Sequence, residues 1–200
     1  MTTKAQSERR QRKTLATVFL LNAALAGGLG VGGVVADSSA LLANAVDNAS
    51  DAAVYLISFL AVGRAGRWKR GAARLSGIML LIFAVGVVAD AVRRWVVGTE
   101  PVGGTMMVLA LVAAVVNLVC LILVKRQGGK DVNMRAAETF SLNDFASNGG
   151  ILLAGVLVML TGQAWPDLAI GVLVAAIALK GGVEILQDAR RESDRQGEGR

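Results

Sequence analysis

The chain has 200 residues, of which 54% are hydrophobic and only 18% charged, with two prolines and no histidine. A mean hydropathy of +0.56 is too apolar for an ordinary soluble domain and points to an integral membrane protein. The net charge of +6 does not mark a nucleic-acid binder, because the basic residues sit in short segments between apolar runs and form no basic face that could track phosphates.

The N-terminal segment "MTTKAQSERRQRKT" has the basic start of a signal peptide. The apolar run behind it is too long and lacks a small-residue cleavage pattern, so it is expected to stay as a span. A bilayer core about 30 Å thick takes roughly 20 apolar residues as helix. Six windows fit, at about 14–36, 40–63, 74–97, 103–124, 138–162 and 166–187. The expected fold is therefore an all-α integral membrane protein of six transmembrane helices. A basic tail over 1–13 precedes a transport-sized domain over 14–188, and a short charged tail over 189–200, expected to be disordered, follows it with no soluble C-terminal domain.

Orientation follows from Lys and Arg, which cytoplasmic segments retain. They crowd the N-terminal tail, the second and fourth connections and the C-terminal tail, while the first, third and fifth connections have none. Both termini are expected in the cytoplasm. Arg93 and Arg94 are out of place, but Asp90 lies three and four residues before them, the spacing of helical ion pairs. Trp68, Trp95 and Trp165 fall at span ends, where an amphipathic ring prefers the headgroup zone. "GGLGVGG" at 27–33 contains a formal G-x-G-x-x-G, but it lies mid-span with no strand before it, so close packing through Gly28 and Gly32 is the better account. Cys120, the lone cysteine, is read as packing.

The second span carries the chemistry. Asn44, Asp47, Asn48 and Asp51 recur at three- and four-residue spacing and so share one helix face. Asn143, Asp144, Ser147 and Asn148 do the same in the fifth. A carboxylate at mid-bilayer costs at least about 2.5 kcal/mol on insertion scales, and no basic residue lies at matching depth; Lys180 is near enough the cytoplasmic end to snorkel there. Protonated carboxyls hydrogen-bonded between helices are one reading. The stronger one is a divalent-cation site of hard oxygen ligands: Asp47, Asp51 and Asp144, with Asn148 and Asn44 as possible further ligands. The two spans run in opposite directions, so Asp47 is expected to face Asp144, Asn44 to approach Asn148, and Asp51 to approach Phe140.

At these residues the chain resembles the cation diffusion facilitators, proton-coupled exporters of zinc and related divalent ions. "DSSALLANAVDNASDAAVYLISF" looks like that family's second span, with Asp47 and Asp51 in its metal motif. "DAVRRWVVGTEPVGG", "VVNLV", "NMRAAETFSLNDFASNGG" and "WPDLAIGVLVAAIALKGGVEIL" resemble later stretches in order. In the fifth span Asp144 matches the second motif position, but Phe140 stands at the first, so the family's four-ligand site does not carry over whole. The resemblance implies a transporter rather than an enzyme, without a resident cofactor. Zinc is the first expectation for the cargo, ahead of cadmium, cobalt, manganese and iron(II), and protons are exchanged against it by alternating access. It also implies a homodimer held through the spans, in the bacterial inner membrane. Phe140 and the short tail motivate an alternative, a non-transporting partner subunit of a complete transporter.

Overall fold

The computed structural model describes residues 2–61, 66–126 and 132–197, with side chains for most of them. Among the described residues there are six α-helices and no strand: α1 Thr2–Val35, α2 Ser39–Ala61, α3 Gly66–Val97, α4 Gly103–Lys125, α5 Val132–Thr161 and α6 Trp165–Gly197. Helices α1, α3, α5 and α6 run well beyond the expected spans on their basic side. Hydropathy marks the stretch that lipid accepts, whereas Lys, Arg, Gln and Glu are good helix formers that prolong a helix into water. The expectation of a disordered C-terminal tail is corrected in this way: α6 continues to Gly197.

At the opposite end the helices stop where the sequence expected. Gly98 and Gly162 take positive φ, 95° and 67°, and their N–H groups donate to the carbonyls of Arg94 and Val158. This is the left-handed cap that ends helices without a Cβ penalty. Asp37, at φ 51°, makes the turn between α1 and α2.

By length and composition, three described segments are long and apolar enough to cross a membrane: Arg12–Val35, Gly103–Lys125 and Trp165–Gln187; Ser147–Thr161 of α5 is apolar but shorter. Helix α2 falls short because of the stripe singled out above, and the structure shows why the stripe is tolerated. Helix α2 packs against all five other helices, which removes Asn44, Asp47, Asn48 and Asp51 from the exterior. The outer surface is apolar instead, with Val35, Val96 and Leu160 each at least 75% exposed. An apolar exterior of this extent around a bundle with a polar interior belongs in lipid.

The core divides around α2. On one side, Leu25 and Leu29 of α1, Leu41 of α2, Met106 of α4 and Ile151 of α5 form one cluster. On the other, α3 and α6 meet α2 through Val87, Val174 and Ala43. The glycine expectation is half right. A Cβ on Gly28 would meet nothing within 4 Å, whereas one on Gly32 would strike Leu109 of α4 and one on Gly33 the backbone of Leu42. Close approach therefore runs through Gly32 and Gly33.

Two polar fixtures hold the start of α2. Asp167 of α6, fully buried, accepts the Ser38 hydroxyl at 2.5 Å and the N–H groups of Ser39 and Ala40 at 2.7 and 3.1 Å. It thus caps a helix to which it does not belong. Nearby, Arg94 Nε donates to Asp90 at 2.5 Å and its Nη1 donates to Asp37, while Arg93 pairs with Asp90 at 2.8 Å. The expected ion pairs are present, and Asp37 joins them. The Thr99 hydroxyl at 2.6 Å, then the Glu100 N–H and Arg94, hold the Asp37 carboxyl below its ordinary range. Trp95 and Trp165 are exposed at helix ends as expected; the Trp68 side chain lies outside the described residues.

Candidate cation site

Helices α2 and α5 bring the singled-out residues together. Across the two antiparallel helices, Asn44 Nδ2 donates to Asn148 Oδ1 at 2.8 Å. One turn along, Asp144 interacts with both Asp47 and Asp51. All three carboxyls are at most 9% exposed, and they line a cavity of about 260 Å³ together with Ser50 of α2 and Lys180 and Glu184 of α6. Asp47 Oδ2 and Asp51 Oδ2 have no hydrogen-bond partner. Buried oxygens of that kind are costly unless something with positive charge or a proton meets them. The side chains of Phe140 and Asn143 lie outside the described residues.

Among the described residues no three His, Cys, Asp or Glu side chains are arranged to enclose a metal ion. The carboxyls are set along a cavity wall and do not form a closed coordination shell. Carboxylate oxygens are ligands that hard divalent cations accept.

Asn44 and Asn148 meet as expected, and their amide groups have protein partners. Asn148 Oδ1 is taken by Asn44, Asn148 Nδ2 donates to the Asp144 carbonyl at 2.8 Å, and Asn44 Oδ1 accepts from Asn48 Nδ2 at 3.2 Å. Asn44 and Asn148 thus link the two helices, and among the amide oxygens of Asn44, Asn48 and Asn148 that of Asn48 is left without a partner. Sequence reasoning placed Asn48 on the stripe without assigning it a role; nothing in the spacing distinguishes it from Asn44.

Other residues went unnoticed. Asn22 and Asn117 are buried on α1 and α4, and Asn22 Nδ2 reaches Cys120 Sγ at 3.7 Å. Cys120 packs with Val18, Tyr55 and Val124 as expected. Two asparagines inside otherwise apolar runs were the available signal.

Apolar helices enclosing a cavity lined by carboxylates from three of them define a helical membrane protein with an acidic interior. The model for the cation efflux transmembrane domain matches residues 15–192, and the chain belongs to that family. It is 27% identical over 191 residues to a protein named zinc transporter ZitB of Yersinia pestis, covering 89% of this chain and 59% of that one. It is 29% identical over 175 residues to its namesake in Escherichia coli, covering 81% and 56%. It is 24% identical over 173 residues to a protein of Bacillus velezensis named cadmium, cobalt and zinc/H(+)-K(+) antiporter, covering 80% and 55%. The chain thus spans somewhat more than half the length of these relatives.

Proposed function

We propose that the chain is a divalent-cation efflux transporter that exchanges the metal for protons by alternating access. Zinc is its first cargo, with cadmium, cobalt, manganese and iron(II) behind it. Residues 14–188 form the transport domain as six spans in a bacterial inner membrane, with the segments 1–13 and 189–200 in the cytoplasm, and two copies pair through their spans. Asp47, Asp51 and Asp144 bind the metal. The names of the relatives support the class of cargo. The observation that carries the reading is the pair of unpartnered buried oxygens on Asp47 and Asp51, in one cavity with Asp144: an arrangement costly in itself and favourable once a dication arrives.

Proton coupling follows from competition, because a proton and a metal claim the same oxygens. Metal binds the ionised carboxylates from one side, the bundle reorients, and protons from the other side displace it. A second reading, a non-transporting partner subunit, has one observation in its favour: Phe140 occupies the place of a ligand in the family's motif.

Uptake of a panel of metals into liposomes containing only this chain tests both readings. Transport by the wild type, its loss in Asp47→Ala and Asp144→Ala, and a changed metal preference in Phe140→His are expected. No transport of any metal by the wild type sinks the transporter reading and favours the partner subunit.

A further inference from the structure

The cavity wall continues along α6 beyond the aspartates. Lys180 and Glu184 share the cavity with Asp47, Asp51 and Asp144, so one ammonium and a fourth carboxylate face the same space. Lys180 Nζ lies 3.8 Å from Glu184 Oε1 across one helical turn, and the two side chains are 79% and 56% exposed. The pair therefore stands at the open rim, with the aspartates buried behind it. A contact that long and that exposed is held weakly and exchanges readily. At equal distance, a dication attracts a carboxylate twice as strongly as a lysine ammonium does.

We propose that Glu184 is the first carboxylate a divalent cation meets on its way to Asp51 and Asp47, and that Lys180 is its tethered counter-cation, displaced when the metal arrives. The inference rests on the transport reading above. It gives the rim a discriminating role. Singly charged ions have no charge advantage over the ammonium already in place, whereas a dication does. With Lys180 seated, the rim is neutral; with the metal seated, the ammonium swings outward into solvent. The exposed, unbranched lysine stem allows that movement. Both residues act on capture, so their effects belong in KM, not in kcat, and are screened by salt.

The test is the initial rate of zinc uptake by the full chain in liposomes, over a range of zinc concentrations, in low and in high KCl. In low KCl, Glu184→Gln is expected to raise KM about three- to tenfold and Lys180→Gln to lower it by a similar factor. Both shifts should shrink in high KCl, while kcat stays close to wild type. Lys180→Arg should keep the wild-type KM, and the gain from Lys180→Gln should be smaller when Glu184 is already glutamine, the signature of a coupled pair. Additive effects, shifts in kcat at constant KM, or shifts indifferent to salt overturn the proposal. Wild-type transport with an unchanged KM in both variants overturns it alone, whereas a wild type that moves no zinc overturns the transport reading and this inference together.

Discussion

Asp144 is the carboxylate that α5 brings to the cavity shared with Asp47 and Asp51 of α2, so removing it should separate function from stability. Asp144→Ala is expected to cut zinc transport at least about tenfold. It should leave the melting temperature in detergent unchanged or raised, because a buried carboxylate without a cation opposes folding. Transport at the wild-type rate would contradict its role. Asn148→Ala removes the acceptor of Asn44 Nδ2 and should cost about 1–2 kcal/mol of stability, read as a lower melting temperature, together with weaker zinc affinity. The aspartates were legible in the sequence because charge inside an apolar run has few explanations. The division of labour among the asparagines was not, since which amide bonds to which depends on a rotamer choice across two helices. The rim pair was half legible: Lys180 drew notice as a residue able to snorkel, but that it shares a cavity with the aspartates depends on how α6 packs against α2.

The element that organises the site is α2, and its position depends on groups supplied by other helices. Asp167→Ala removes the acceptor of the Ser39 and Ala40 N–H groups and should cost about 1–2 kcal/mol, measurable as a lower melting temperature. Asp167→Asn, which keeps one acceptor oxygen, should lose less. The Asp37 turn gives a pH dependence of known sign. Its carboxyl titrates below the ordinary value in the folded protein, so the stability it supplies is full above about pH 4. That stability is lost as pH falls through the lowered folded value. The difference in melting temperature between wild type and Asp37→Asn should therefore be constant from neutrality to about pH 4 and shrink below it. Helix existence was legible from apolar run length. Helix ends were legible within two residues away from the basic side, two of them at the glycines Gly98 and Gly162, and at both ends of α2 and α4; the basic starts of α1, α3 and α5 and the basic end of α6 were not, because good helix formers there oppose no further turns. The cap from Asp167 was hidden, as its partners lie more than a hundred residues away in the chain.

At the scale of the whole molecule, the bundle inverts the usual surface: its polar stripe is buried beside the apolar core, and large apolar side chains are exposed along the helices. The sequence showed that inversion as stripes within apolar runs, but the assembly of all helices around α2 follows from packing that no periodicity encodes. If protons displace the metal, raising the external pH from 6 to 8 should slow zinc export, and a flat rate would argue against exchange. The most direct measurement is luminal pH in liposomes containing only this chain, after a zinc pulse outside. Zinc entering as protons leave predicts alkalinisation of the lumen in the wild type and none in Asp47→Ala or Asp144→Ala. A lumen whose pH stays constant in the wild type while zinc accumulates, or an equal response in Asp144→Ala, would contradict the account.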